Sequence, residues 1–260
     1  MYKVSKNIKI FSLALMVTGV LGLGFSFYSA PKTVEEAKAM VADSHSDGHH
    51  EDETHNSEEA TLANVDSHDS SDVHQEEDAH SSHDEHLLHY LQNRPWSALY
   101  VAALFFMFLS LGTLAFYAIQ RASQAGWSPL LFRVMEGITA YLLPGTLIIL
   151  VILILSSLHL NHLFVWMDPE VVAHDKIIQG KVGYLNAPFL IARAVFYIAG
   201  WNFYRYISRK YSLAQDNSSD ISNHTKNFKW SAGFLAFFIV TESMMSWDWI
   251  MSVDPHWFST

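Results

Sequence analysis

Apolar residues in this chain gather into long runs divided by polar stretches, and the runs set the architecture. They cover Ile8–Tyr28, Trp96–Ile119, Val134–Leu158, Leu185–Ile207 and Phe228–Ile250. Each holds roughly 20 residues or more, enough to cross a hydrocarbon core of about 30 Å at about 1.5 Å per residue. Backbone N–H and C=O groups in lipid must bond within their own segment, so each run is expected to be a helix. The third is the most uniform, with no charge between Ile138 and Leu158. Pro144-Gly145 interrupts it, and the missing proline N–H predicts a kink that serves bundle geometry. The expected fold is all-α: a polytopic helical membrane protein with an N-terminal anchor helix and a four-helix transmembrane bundle.

Three regions follow from this pattern: an anchor over residues 1–30, an acidic histidine-rich loop over 31–93, and the bundle over 94–260. The first run has the outline of a signal peptide, with Lys3, Lys6 and Lys9 before it. It is long for that role. Tyr28 stands where a small residue is wanted, and Pro31 would follow the cut, so a retained anchor is the expectation. Basic residues flank alternate span ends: the three N-terminal lysines, then Arg121 and Arg133, then Arg205, Arg209, Lys210, Lys226 and Lys229. The positive-inside rule then puts the N-terminus in the cytoplasm. The acidic loop, the His159–Tyr184 connection and Ser252–Thr260 fall on the opposite side. Trp96, Tyr100, Trp166, Tyr184, Trp230 and Trp257 lie near span ends, as an interfacial aromatic belt requires.

The formal net charge of −10 comes mostly from the loop and says little about partners; nothing favours nucleic acid. The absence of cysteine excludes disulfides, thiolate-held iron–sulfur clusters and thioether-linked haem on this chain. The loop carries His45, His49, His50, His55, His68, His74, His80, His83, His86 and His89 among many acids and serines. Imidazole and carboxylate ligate divalent ions, but these histidines lack fixed ligand spacing, and such composition cannot bury a core. A solvated, disordered linker is the preferred reading, and no metal site is assigned. His86, His89 and Tyr90 are expected in a short interfacial helix leading to Pro95.

Candidate chemistry lies in the ionisable residues at membrane depth. Glu136, Glu242 and Asp248 sit in or at the edge of spans, where a carboxyl group usually faces a bundle interior or a water-filled cavity. They are the candidates for a proton path; the competing reading is a neutral carboxyl bonded to a neighbouring helix. Arg193 lies inside the fourth span and wants a carboxylate, which Asp168 or Asp248 can supply. Around it the sequence collects His159, His162, Asp168, Lys181 and Tyr184, with Asp254, His256 and Trp257 arriving from the fifth span. A loop tied down by caps and salt bridges is the plainer account of any one of them. No histidine lies in the middle of a span, so a bis-histidine haem is not expected.

Three segments carry a resemblance. They are His159-Leu-Asn-His162 with Trp166-Met-Asp168-Pro, Lys181-Val-Gly-Tyr-Leu-Asn-Ala-Pro-Phe-Leu-Ile-Ala-Arg193, and Ser246-Trp-Asp-Trp-Ile-Met-Ser-Val-Asp-Pro-His-Trp-Phe-Ser-Thr260. Over residues 96–260 the chain resembles the membrane subunits of alternative complex III, of NrfD/PsrC (polysulfide-reductase-like) type, and among them the ActF subunit. The resemblance implies two four-helix bundles, of which this chain would hold the N-terminal half. It also implies a bacterial inner-membrane location with the histidine-rich loop periplasmic, and a role in oxidising quinol, menaquinol included. Haem c and iron–sulfur clusters are expected on partner subunits. Those partners are a paralogous NrfD-like membrane subunit, an iron–sulfur subunit, multihaem cytochrome c subunits and a terminal oxidase, with lipid around them. This chain would bind no cofactor beyond quinol and would not be catalytic alone. His159, His162, Asp168, Lys181, Tyr184 and Arg193 become the quinol-pocket candidates, and Asp254, His256 and Trp257 the interface candidates. Two other functions compete: a divalent-metal transporter or channel fed by the histidine-rich loop, and a purely structural anchor.

Overall fold

Helices account for the regular structure of the described residues, which are 5–46 and 73–256 of the computed structural model. Helix α1 (Lys6–Tyr28) begins where the Ser5 hydroxyl accepts the Ile8 N–H. None of its residues is buried, and it is apolar all round, the surface a helix presents to lipid. Helix α2 (Val34–Ser46) opens on a reciprocal cap. The Thr33 hydroxyl accepts the Glu36 N–H at 3.3 Å, and the Glu36 carboxylate accepts the Lys32 N–H at 2.8 Å. Helix α3 runs from Val73 to Ala122 through Pro95. Helices α2 and early α3 therefore occupy parts of the stretch expected to lack regular structure. His86, His89 and Tyr90 lie within α3 rather than in a short helix of their own. His49, His50, His55 and His68 lie outside the described residues.

The chain divides into two compact units, Met1–Pro95 and Trp96–Thr260. The second unit contains the rest of α3, α4 (Phe132–Ile138), α5 (Leu142–Ser157), the short α6 (Pro169–His174) and α7 (Lys176–Lys181), α8 (Ala187–Gln215) and α9 (Ser222–Trp249). Its core is aliphatic on α3 and α5 (Met107, Leu111, Ile149, Leu153) and aromatic on α8 and α9 (Tyr197, Trp201, Trp249). Trp201 and Trp249 are fully buried with ring centroids 6.0 Å apart, edge to face. Gly200 lets α8 and α9 approach: a Cβ there would stand 2.3 Å from the Phe237 ring.

Four helical stretches are long and apolar enough to cross a membrane: Lys6–Tyr28, Tyr90–Ala122, Phe132–Ser157 and Ser222–Val253. Five were expected. Helix α8, which contains Leu190–Ile207 of the fourth expected span, has the length but not the apolarity. Its Arg193, Tyr197, Trp201 and Tyr204 are buried in the bundle, where an average over all side chains counts them as though they met lipid. The third span also differs from a single kinked helix. A 3₁₀ turn over Thr139–Tyr141 separates α4 from α5, two residues ahead of Leu143 and three ahead of Pro144. Proline cannot bond to the carbonyl four residues back, at Ala140, and the chain winds tighter there instead.

Two helix ends close on a non-glycine residue in left-handed backbone, and they do so in the same way. After α5, His159 adopts φ 56°, its N–H bonds to the Ser156 carbonyl and the Leu160 N–H to Leu155. After α3, Gln124 adopts φ 53°, bonding to Arg121, and Ala125 bonds to Gln120. These are Schellman closures.

Candidate functional site

Arg193 and Asp248 form the centre of one end of the bundle. Asp248 is fully buried and Arg193 is 6 % exposed. The guanidinium donates through Nε to Oδ2 at 2.8 Å and through Nη2 to Oδ1 at 2.7 Å, a two-pronged pairing between α8 and α9. Tyr197, one turn along α8, donates its hydroxyl to Oδ2 at 3.1 Å. Nη1 donates to the Tyr184 carbonyl at 3.3 Å, and the guanidinium lies 4.0 Å from the Tyr184 ring centroid and 4.2 Å from that of Phe189. The carboxylate charge is thus met by an arginine and a phenol, and the arginine is sandwiched by aromatic rings. Of the two carboxylates open to Arg193 from sequence, Asp248 is its partner. Asp168 instead caps α6, accepting the Glu170 N–H at 3.0 Å.

Beside this pair lies a cavity of about 420 Å³, walled by Gly180, Lys181, Gly183, Tyr184, Leu185, Trp247, Met251, Ser252 and Pro255. The Tyr184 hydroxyl is buried without a hydrogen-bond partner among the described residues. Burial, reinforced by the Asp248 charge, pushes its phenol up to about 12, so it stays a proton-bearing donor at neutral pH. Lys181 Nζ donates to the Pro255 carbonyl at 2.5 Å, and Ser252 Oγ to the Asp248 carbonyl at 2.5 Å. A second tie joins the connections outside the helices. Asp175 caps α7 through the Ile177 and Ile178 N–H groups (2.8 and 3.2 Å) and meets His256 Nε2 at 2.5 Å. Burial raises the Asp175 carboxyl, but the bonds from Ile178, Ile177 and His256 outweigh it and leave it below its ordinary value.

The other expected residues are scattered. Lys181, Tyr184 and Arg193 come together. His159 is an exposed helix closure, and His162 is half-buried in the following connection. Asp254 accepts the His256 N–H at 3.1 Å. Trp257 lies outside the described residues.

Glu136, Glu242 and Asp248 are not brought into one path. Glu136 belongs to a separate polar cluster about 22 Å along α8, since Ser208 beside it stands fifteen residues beyond Arg193. Its carboxylate takes Arg133 Nη1 at 2.7 Å and the Tyr117 hydroxyl at 3.3 Å. Tyr117 also accepts from Arg121 Nε (3.1 Å) and Asn227 Nδ2 (3.3 Å), so all three capacities of that phenol are used. Arg133 is further paired with Asp216. A void of about 10 Å³ against Glu136, Arg205 and Ser208 has room for about one water. Glu242, in contrast, faces outward from α9.

Sequence reasoning missed Tyr197 and Tyr117. Tyr197 had a signal, standing four residues after Arg193 on one helix face. Tyr117 had the same signal, four residues before Arg121, but its Glu136 and Asn227 partners come from other helices. Among the described residues no group of three metal-ligating side chains occurs. A comparison of the chain with known protein families and with curated proteins finds no match.

Proposed function

We propose that this chain is an integral membrane subunit of a bacterial respiratory quinol oxidoreductase complex, and that it holds a quinone or quinol headgroup in the cavity beside Arg193 and Asp248. The cavity carries the proposal. Its volume lies within the range of small-molecule sites, and its wall is mostly apolar with a few convergent polar groups. Of those groups, Lys181 and Tyr184 are donors suited to the carbonyl or hydroxyl oxygens of a quinoid ring, while Ser252, whose proton goes to the Asp248 carbonyl, can accept from a quinol hydroxyl. Trp247, Met251 and Leu185 provide the apolar surface for the ring.

The same wall argues for a holding role. Quinol oxidation releases two protons and two electrons and needs a base within hydrogen-bond reach. The described residues lining the cavity include no carboxylate or imidazole. The base and the electron acceptor would then come from partner subunits bearing iron–sulfur clusters and c-type haem. In this reading the cavity opens toward the periplasm, as the flanking charges imply.

Illumination of native membranes with a photoreactive quinone analogue tests it. Labelling of peptides within 180–185 and 247–255, competed by excess quinol and lost in Tyr184→Ala, is expected. Labelling confined to other chains, or to other parts of this one, overturns it.

A further inference from the structure

Three acids lie at membrane depth, and the chain neutralises two of them internally with arginine. Asp248 has Arg193, and Glu136 has Arg133. Glu242 is the exception. It stands thirteen residues after Lys229, about 20 Å up the helix axis, and twelve before Asp254. Between those two residues the only other charge is Asp248, which is sealed inside. The Glu242 side chain is exposed, on the outward face of α9 where Ile239 is 64 % and Val240 58 % exposed. No ion-pair or hydrogen-bond partner meets it among the described residues. The neighbouring Ser243 satisfies its hydroxyl on its own helix, donating to the Ile239 carbonyl at 2.9 Å. An ionised carboxylate only accepts, and its own helix offers it no free donor. Facing lipid at mid-depth it is costly, and such groups almost always meet a partner.

We infer that the Ile239–Ser243 face of α9 is a docking surface for a transmembrane helix of another polypeptide, which brings an arginine or lysine to Glu242 at mid-depth. Charge complementarity selects the occupant. A lipid tail offers no donor, and a second copy of this chain would set carboxyl against carboxyl. This chain's own practice with Asp248 and Glu136 shows the solution. The inference is independent of the quinone reading, since it uses only depth, exposure and charge.

The test is photocrosslinking in native membranes with p-benzoylphenylalanine placed at Ile239, and at Val151 on α5 as an outward-facing control (53 % exposed). The Ile239 probe should capture one protein, through a transmembrane peptide that contains Arg or Lys, while the Val151 probe does not capture that protein. Glu242→Leu should cut the Ile239 yield by at least about tenfold, as loss of one member of a desolvated charge pair does. Glu242→Lys combined with an acid at the partner's basic position should restore it. Leucine on this outward-facing position of α9 leaves the fold intact, and Glu242→Gln serves as the smaller change, with an intermediate yield. Equal capture at both probes, capture of a second copy, lipid adducts alone, or a yield unmoved by Glu242→Leu would each overturn the inference.

Discussion

The two ends of the helical bundle each contain a carboxylate held by an arginine, and they hold it in different ways. At one end the pair joins two helices and is sealed: Asp248 on α9 and Arg193 on α8 have side chains 0 % and 6 % exposed. At the other, Glu136 is bound by Arg133 three residues away on the same helix, and Arg133 is 43 % exposed and shared with Asp216. The sealed pair is a tertiary contact with no substitute in water. The open pair is one link of a network that solvent and a second acid can replace. The difference lies in burial, since the short distances in both are alike.

Breaking each pair from one side separates them most clearly. Asp248→Ala leaves the Arg193 charge buried and unpaired, and should lower stability by about 3–5 kcal/mol. Replacing both partners by Leu should restore much of that loss, because the charge to be buried is then gone. Chemical unfolding of the detergent-solubilised protein reads both. Glu136→Gln should lower stability by about 1 kcal/mol, since Arg133 keeps Asp216 and water. An equal loss at the two sites would erase the contrast. Between these falls Tyr117→Phe, which strips one hydroxyl from three partners and should lower stability by about 1–2 kcal/mol.

How far sequence reaches also differs between the ends. The helical architecture was legible because lipid forces apolar runs of a set length. Arg193 was legible as needing a carboxylate, and Asp248 stood among two candidates, because an isolated charge at depth has few solutions. Three things were hidden. The break at Thr139–Tyr141 depends on where the Pro144 ring clashes one turn earlier. The shortfall of α8 arises because its polar side chains turn inward, and an average over residues has no direction. The Glu136 cluster draws on residues from α3, α4, α8 and α9, a convergence that only packing reveals. His159, a quinol-pocket candidate from sequence, serves as a helix closure, and residue type alone gives no hint of a positive φ.

That closure gives a smaller test in the stabilising direction. His159 and Gln124 hold left-handed backbone in matching closures at opposite ends of the bundle. Glycine adopts that conformation without a Cβ penalty. His159→Gly and Gln124→Gly should each raise stability by roughly 0.5–1 kcal/mol, seen as a higher unfolding midpoint. A loss at His159 alone would show that its ring does work beyond closing the helix.

The smallest expected effect concerns pH and is confined to the Asp175–His256 tie. The folded Asp175 carboxyl titrates below its ordinary value. Its contribution is therefore present above about pH 4, the unfolded range, and is lost as pH falls through the lower folded value. Two N–H bonds at the start of α7 and the His256 contact should loosen together in that acid window. Hydrogen exchange at Ile177 and Ile178 reads the change directly. It should accelerate upon acidification beyond the intrinsic trend, and Asp175→Ala should show the faster exchange already at neutral pH.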